Sequence, residues 1–557
     1  MNHALSVLPV DRLAETHEVF NQTPPLLDYN AYRGDCALKD AVLREGAAWA
    51  IPTIEAHGER TGSAEVMAWG DQANAFKPQF DSHDRQGHRI DQVNYHPSYH
   101  QLMHLALDHG LHSLPWVKPQ AGAHVARAAL SYLQAQVDAG HGCPLTMTFA
   151  AVPAIRQTPA LAKEWLPKIL TNAYDSRNVP HMDKHAVTIG MGMTEKQGGS
   201  DVRANTTQAY AIGATGEGEP YELVGHKWFT SAPMCDAFLM LAQTAGGLSC
   251  FLVPRWRPDR SKNPIQVQRL KNKMGNVSNA SSEIELRGAM GWMLGAEGRG
   301  VATIIEMVGM TRFDCMIGST ASMRHGVAQA IHHAAHRHAF GQRLIDQPAM
   351  KNVLADLQLD VEGTLALSMR MARALDQDEQ QFLRLGLPTG KYWITKRNPN
   401  HSYEAMECMG GNGVMDDFVM ARLYRDAPIN AIWEGSGNVQ ALDLLRAIGK
   451  NPHALEVWFA ELAMTQGEHV LLDQAVAQLK KECADRSDLE YRARSIVEQM
   501  ALTMQASLLV RAGHHAVSDA FVASRLAERQ ICQHYGNLPR GVDCQAIIDR
   551  GNPLSEG

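Results

Sequence analysis

The stretch M-G-M-T-E-K-Q-G-G-S-D, residues 191–201, lies where the sequence changes from a helical to a strand-like pattern. Val187, Ile189 and Met191 alternate with smaller residues, and a period of two is typical of a strand. The glycines of the stretch allow the backbone to approach a planar or phosphorylated ligand closely, and its threonine and serine offer hydroxyl groups. We therefore predict a strand that ends in a ligand-binding loop.

The sequence on either side of this stretch divides into four segments. Residues 1–185 have mainly helical spacing with proline-rich joints, and residues 186–290 contain short apolar runs between Gly, Pro and Asn clusters. Long helical patterns return in residues 291–450, and a further helical segment occupies residues 451–557. The order helix, strand, helix predicts an α+β multidomain protein rather than a βαβ array.

Composition favours a large globular protein that does not span a membrane. The 557 residues are 45% hydrophobic and 20% charged, with 52 basic and 59 acidic side chains and a net charge of −7. Glu306 and Gln505 interrupt the longest apolar stretches, so we expect no membrane span. Nine scattered cysteines without a C-x-x-C pair, and a start without a signal-peptide pattern, predict a cytoplasmic location.

Several common nucleotide and hydrolase motifs are missing from the sequence. Gly190-Met191-Gly192 lacks the third glycine of G-x-G-x-x-G, and no P-loop, G-x-S-x-G or H-E-x-x-H motif occurs. A Rossmann dehydrogenase, a P-loop enzyme and an α/β-hydrolase therefore lose support.

Two further segments carry groups suited to ligand binding. Residues 225–231, G-H-K-W-F-T-S, predict a strand end with aromatic rings and hydroxyls, and residues 432–439, I-W-E-G-S-G-N-V, place Glu434 on a glycine-flanked loop before a helix. The amides of a helix N-terminus can hold phosphate. Each segment also has a purely structural interpretation, and for Glu434 the alternative is an ion pair with Arg422 or Arg425.

Taken together and in this order, the motifs resemble the acyl-CoA dehydrogenase superfamily. The resemblance covers residues 185–450 through the sets Thr194-Glu195 with Gly199-Ser200-Asp201, Gly225-x-Lys227, Gly295-x-Glu297-Gly298-x-Gly300, Arg337-x-x-Phe340-Gly341, Gly410-Gly411-Asn412-Gly413, Arg422-x-x-Arg425-Asp426 and Ile432-x-Glu434-Gly435. The chain resembles most the AidB branch of this superfamily, the adaptive-response flavoproteins. The features that carry this closer resemblance are the full sequences of the three ligand-binding segments, Tyr95-His96-Pro97 and the helical tail.

The resemblance implies an N-terminal helical domain, a middle β-barrel or sandwich domain and a C-terminal four-helix bundle, with residues 451–557 as an extra helical domain. It also implies a bound FAD, with Glu434 as the base that removes the α-proton of an acyl thioester while the flavin accepts hydride from the β-carbon. The residues that it assigns to cofactor binding are Met191, Thr194, Gly199, Ser200, Trp228, Phe229, Ser231, Arg337, Phe340, Gly411, Ile432, Trp433, Gly435, Ser436 and Asn438.

Members of this branch are associated with double-stranded DNA and alkylation damage and form homo-oligomers, usually tetramers, so the resemblance implies these partners and an acyl-CoA. Residues 451–557 contain 10 basic and 14 acidic side chains, which disfavours binding to phosphate. A more basic run contains Arg255, Arg257, Arg260, Lys262, Arg269, Lys271 and Lys273. Three hypotheses remain: a DNA-associated flavoprotein with residual dehydrogenase activity, a metabolic acyl-CoA dehydrogenase, and a non-catalytic flavin-dependent scaffold.

Histidines at helical spacing raise the question of a metal. His96, His100 and His104 recur every four residues, as do His332 and His336. Two such histidines can bind Zn²⁺, but no further ligand is evident, so we predict hydrogen-bonded or exposed imidazoles and no metal.

Overall fold

The computed structural model describes residues 17–527 and 534–555. Its N-terminal segment consists of helices, as predicted. The helices are α1 (Cys36–Arg44), α2 (Ile51–Thr61), α3 (Ala64–Ala75), α4 (Pro97–Asp108), α5 (Leu114–Val117), α6 (Ala123–Val137), α7 (Gly142–Arg156) and α8 (Pro159–Ile169). An antiparallel hairpin, β1 (Gln79–His83) with β2 (Arg89–Asn94), interrupts them and was not predicted.

The middle segment forms one seven-stranded sheet, which confirms the predicted β-domain. Its strands are β3 (Ile189–Gly192), β4 (Gln208–Ala211), β5 (Pro220–Ser231), β6 (Ala237–Thr244), β7 (Gly247–Pro254), β8 (Ile265–Leu270) and β9 (Ser281–Leu294). The long strand β9 pairs with β5, β7 and β8, so the sheet curls around its own apolar cluster. On the other face, α7 and α8 bury Phe149 and Trp165 against the sheet.

Three long helices build the bundle that follows. The elements of this segment are α9 (Gly300–His336), β10 (His338–Ala339), β11 (Gln342–Arg343), α10 (Pro348–Asp376), α11 (Gln380–Glu407), α12 (Val419–Asp426), α13 (Ile429–Ile432) and α14 (Gly437–Lys450). The interior prolines Pro388 and Pro399 obscure α11 in the sequence, but the helix continues through both because it is packed between α9, α10 and α14.

The C-terminal helices pack on the bundle rather than standing apart from it. They are α15 (Pro452–Ala463), α16 (Val470–Ala484), α17 (Leu489–Ala512), α18 (His515–Arg525) and α19 (Cys544–Gly551). One hydrophobic cluster includes Leu365 of α10, Met504 of α17 and Ile547 of α19. Buried Arg525 adds ion pairs to Asp356 at 2.5 Å and Asp360 at 3.1 Å on α10. The segment predicted as an extra domain thus shares the core of the bundle.

Within residues 17–527 and 534–555, no helix combines the length and apolar character that crossing a membrane requires.

Candidate flavin and base site

Glu434 lies on the short loop between α13 and α14. Its backbone is left-handed, with φ +57°, and the next residue, Gly435, has φ +93°. The carboxylate atom Oε2 accepts a hydrogen bond of 2.7 Å from the hydroxyl of Thr311 on α9. The loop therefore presents one oriented carboxylate to the junction between the bundle and the β-domain.

Glu434 does not form the alternative ion pair with Arg422 or Arg425. Arg422 donates to the carbonyl of Val137 and lies 3.6 Å from Asp71, while Arg425 pairs with Asp416 at 2.7 Å. Both arginines therefore have partners other than Glu434.

The loop of Glu434 rests on a buried lysine that the sequence did not single out. Lys391 of α11 donates to the carbonyls of Trp433, at 2.8 Å, and Gly435, at 2.5 Å. Gln440 donates to the carbonyls of Glu434 and Gly435, both at 2.9 Å. The sequence did not indicate Lys391, because the prolines obscure its helix and the sequence does not show which loop the side chain contacts.

The first two ligand-binding segments meet at a buried ion pair. Lys227 of β5 contacts the carboxylate of Glu195 at 2.8 Å, and neither side chain is exposed. The hydroxyl of Thr207 donates to the same carboxylate at 2.6 Å, and the amide of Trp228 donates to the carbonyl of Thr194 at 2.8 Å. Glu195 is thus the structural link that fixes Thr194 beside Trp228.

The loop after Glu195 requires its glycines. Gly198 has φ +147°, and a Cβ atom on Gly199 would lie 2.3 Å from the hydroxyl of Thr194. This close approach leaves Thr194 and Ser200 on the same turn. Met191 lies just before the turn, partly buried at the end of β3.

The aromatic residues of β5 lie near the C-terminal end of the strand. Phe229 is 45% exposed, and the ammonium of Lys271 lies 3.1 Å from the ring centroid of Trp228. Ser231 lies one residue after Thr230, with its hydroxyl 3.5 Å from that of Ser281. Phe229 and Ser231 share one face of the strand because side chains alternate.

Cys143 of α7 connects these residues to Glu434. Burial raises the pKa of the Cys143 thiol to about 11, while the hydroxyl of Ser231 lowers that pKa and the carboxylate of Glu434 raises it. Ser231 of the β-domain and Glu434 of the bundle are therefore both in the surroundings of Cys143. The structure brings the three ligand-binding segments to one junction.

Three predicted cofactor residues lie at the opposite end of the bundle. Arg337 ends α9, roughly 40 Å from Thr311 at about 1.5 Å of rise per residue. Phe340 is 98% exposed at the tip of the β10–β11 hairpin, and Gly411 follows the end of α11 at that same end. Within one chain, these residues do not reach the site of Glu434.

The residues at the junction fit FAD. Among residues 17–527 and 534–555, the hydroxyls of Thr194, Ser200 and Ser436 have no protein partner, and α14 starts without a side-chain cap. Open hydroxyls and a helix N-terminus suit phosphate, whereas Phe229 and Ile432, which is 66% exposed, offer apolar cover to a planar ring.

Two other predicted contacts are already engaged within the chain. The indole of Trp433 donates to the side chain of Asn430 at 2.8 Å. The side chain of Asn438 accepts a bond of 2.8 Å from Arg494 of α17. Their side chains therefore help to hold the loop and the start of α14 in place.

Each cation of the basic run has a partner within the chain, and three of the seven, Arg260, Arg269 and Lys271, pair with a carboxylate. Every member bonds to a carbonyl or carboxylate, the partners being Cys235, Gly288, Asp183, Ile90, Glu283, Asn276 and Asn279. In the tail, Arg492 pairs with Glu482 at 2.6 Å. Lys480, Lys481 and Arg486 remain exposed among acidic neighbours. The expected phosphate-binding surface is thus reduced to a few cations.

The histidines occupy ordinary structural positions. His96 caps α4, His100 contacts the hydroxyl of Tyr174 at 2.8 Å, and His104 pairs with Asp108. No cluster of three or more candidate metal ligands occurs in the part of the chain that the structure describes.

Comparison with known families supports this arrangement of domains. The Adaptive response protein AidB N-terminal domain matches residues 21–176, the acyl-CoA dehydrogenase middle domain matches residues 190–289, and the acyl-CoA dehydrogenase C-terminal domain matches residues 298–449.

Individual relatives match most of the chain. The AidB protein of Escherichia coli strain K12 is 46% identical over 88% of this chain and 90% of its own length. The acyl-CoA dehydrogenase family member 11 of Caenorhabditis elegans is 30% identical over 92% of this chain and 89% of its own.

Solved structures have the same fold. The Caenorhabditis elegans ACDH-11 in complex with C11-CoA has a TM-score of 0.83 at 27% identity, covering 93% of each chain. An acyl-CoA dehydrogenase of Bacillus anthracis complexed with FAD has a TM-score of 0.66 at 16% identity, covering 91% of this chain and 87% of its own.

Proposed function

This chain belongs to the AidB branch of the acyl-CoA dehydrogenase family, whose members bind FAD, and on that premise we propose that it oxidises the Cα–Cβ bond of an acyl thioester with Glu434 as the base. The observation that carries the proposal is the carboxylate of Glu434, which Thr311 orients through a hydrogen bond of 2.7 Å to Oε2.

The site provides what this reaction asks of the protein. FAD supplies the acceptor for the hydride that leaves the β-carbon. Thr311 occupies Oε2 of Glu434, and within the described residues Oε1 has no hydrogen-bond partner. Oε1 therefore accepts the α-proton, while the electrons of the Cα–H bond form the double bond. Phe229 and Ile432, which are exposed in the structure, would become covered by a bound flavin and thioester.

The test is reduction of the bound flavin. Purified protein is denatured to release and quantify FAD, and the native protein is then mixed anaerobically with saturated acyl-CoAs of increasing length. We expect bleaching of the flavin band by at least one acyl-CoA and its loss in Glu434→Gln. Glu498→Gln, an exposed carboxylate on α17, is the control.

Two results would redirect the proposal. A protein that retains FAD but is bleached by no acyl-CoA would be the non-catalytic flavin scaffold. A protein without FAD after denaturation would contradict both functions.

We propose that the active form is a homo-oligomer, on the family pattern a tetramer. Arg337, Phe340 and Gly411 lie at the far end of the bundle, so they contact FAD only if a second subunit supplies them. Phe340→Ser should then lower FAD retention while leaving the helical content unchanged. Light scattering reports the oligomeric state, and the flavin absorbance after gel filtration reports FAD retention. Full FAD occupancy in the variant would contradict the proposal.

Similarity to AidB supports a second proposal, association with duplex DNA in the response to alkylation damage. The exposed cations that phosphate would contact are Lys480, Lys481 and Arg486. We expect anisotropy of a labelled duplex to report weak binding that falls with salt and falls further when all three residues become Gln. Identical binding at two salt concentrations would contradict this proposal.

We also propose that the protein acts in the cytoplasm. The eight cysteines within the described residues are all free thiols, as a reducing compartment favours. Alkylation of intact cells with a thiol reagent, followed by fractionation, tests both the location and the thiol state. Disulfide-linked protein outside the cytoplasmic fraction would contradict it.

A further inference from the structure

Lys391 is a buried cation that bonds to backbone instead of to an acid. Its side chain on α11 is 1% exposed, and its ammonium donates to the carbonyls of Trp433 and Gly435, the residues on either side of Glu434. Within the described residues, no carboxylate lies at ion-pair distance from it. Burying a cation with only two carbonyl partners costs free energy, so the position of Lys391 beside Glu434 indicates a role in the site.

The loop that Lys391 holds has a conformation that it would not keep unaided. Glu434 has φ +57°, a left-handed conformation that L-residues with a long side chain disfavour. Lys391 and Gln440 together bind three consecutive carbonyls, those of residues 433, 434 and 435. Such over-determination by the surroundings is what keeps a strained residue in place.

The ammonium of Lys391 is near the carboxylate of Glu434, the residue that follows Trp433 in the chain. The titratable and charged groups around the ammonium are Cys315 and Arg312 of α9, Lys396 of α11 and Glu434 itself. Arg312 is paired with Asp443 at 2.8 Å, so it is partly neutralised. Within the described residues, neither Lys391 nor Lys396 has a carboxylate partner, and of the two Lys391 is the one that bonds to the loop.

We propose that Lys391 is the positioning residue of the catalytic base: through the carbonyls of Trp433 and Gly435 it fixes the direction of the Glu434 side chain. This inference rests on the function proposed above. It adds a residue on α11 to a site otherwise built from α9, β5 and the loop before α14.

Two substitutions test the bonds from Lys391 to the loop. Lys391→Met removes the donor, whereas Lys391→Gln keeps an amide donor on a shorter side chain. Lys184→Met is the matched control, because Lys184 is equally buried but pairs with Asp236 at 2.7 Å in another part of the molecule.

The first measurement does not depend on turnover. Hydrogen–deuterium exchange of the peptide that spans residues 432–438, in the FAD-loaded protein, should be at least about tenfold faster in Lys391→Met and unchanged in Lys184→Met. If exchange in Lys391→Met equals that of the unmodified protein, Lys391 does not hold the loop and the proposal is wrong.

The second measurement separates positioning from binding. If Lys391 aims the carboxylate of Glu434, reduction of the flavin by acyl-CoA should be at least about tenfold slower in Lys391→Met, with kcat reduced and KM nearly unchanged, and less impaired in Lys391→Gln, which keeps an amide donor. A change in KM alone would contradict the positioning role.

The outcomes distinguish the two proposals. If no acyl-CoA reduces the flavin of the unmodified protein, the proposed reaction is wrong, while the exchange data still decide whether Lys391 holds the loop. If Lys391→Met does not fold, Lys391→Gln supplies the same readouts.

Discussion

Replacing Lys227 with methionine tests whether the buried ion pair organises the flavin side of the site. The substitution keeps the aliphatic length but leaves the carboxylate of Glu195 buried without its cation. Thr206 and Thr207 would still donate to that carboxylate, at 2.7 and 2.6 Å. Removal of one partner of a buried pair costs about 3–5 kcal/mol, because an uncompensated charge remains in the interior.

Native-state hydrogen exchange of the peptide that covers β5 measures this cost locally. A loss of 3–5 kcal/mol corresponds to exchange about 10²- to 10⁴-fold faster in Lys227→Met. The double variant Glu195→Gln/Lys227→Met removes the stranded charge and should recover part of the loss, whereas exposed Lys196→Met should change nothing. Exchange within threefold of the unmodified protein in Lys227→Met, or no recovery in the double variant, would refute the reasoning.

Three further predictions concern the loop, the acid side of the stability curve and the C-terminal helices. Gly435 has φ +93°, and a Cβ there would lie 2.6 Å from the side-chain amide of Gln440. Gly435→Ala should therefore destabilise the loop of Glu434 by about 1–2 kcal/mol, measured as faster hydrogen exchange of residues 432–438. Unchanged exchange would contradict this. Burial lowers the pKa of His57 and of His325 to about 3, so both bind protons near pH 6.5 only when unfolded. Their contribution to the free energy of unfolding is complete above pH 6.5 and is lost as the pH falls toward 3, by about 1.4 kcal/mol per pH unit for each histidine. Urea unfolding at pH 7 and 5 should show this loss. His57→Gln should reduce the dependence of the unfolding free energy on pH. Arg525→Met leaves buried Asp356 without its cation, while Asp360 keeps its ion pair with Arg397 at 2.5 Å. The substitution should cost about 3–5 kcal/mol, seen as easier proteolysis of the last helices. Protease resistance equal to that of the unmodified protein would contradict it.

Regular periodicity explains what the sequence could predict about the fold. The apolar runs at Phe238–Leu241 and Cys250–Val253 lie inside β6 and β7, and the helical pattern of residues 301–333 lies inside α9. Each of these segments buries one continuous set of apolar side chains, so local pattern and tertiary packing agree. The full extent of α11 was not foreseen because prolines interrupt its pattern, and the hairpin β1–β2 was missed because polar residues dominate it.

The site could be predicted only as far as its motifs extend along the chain. Thr194, Phe229, Ser231 and Glu434 belong to glycine-marked segments, and the structure brings those segments to one junction. The partnership of Lys391 with the loop joins residues 42 positions apart, and Lys227 and Glu195 are 32 apart. Such pairings depend on how elements pack, which spacing within one segment does not encode.

The charge of the chain also needed the structure for its interpretation. The basic run between Arg255 and Lys273 suggested a surface for phosphate, but these side chains bond to carbonyls and carboxylates around them. A count of cations along the sequence does not separate those that are free from those that hold a loop in place.

Anaerobic single-turnover reduction of the flavin by an acyl-CoA with and without deuterium at the α-carbon tests the central claim most directly. If Glu434 removes the α-proton, bleaching should be slower with the deuterated substrate and about 10²- to 10⁴-fold slower in Glu434→Gln, with acyl-CoA binding retained. Bleaching that is insensitive both to α-deuterium and to Glu434→Gln would contradict the assignment of Glu434 as the base.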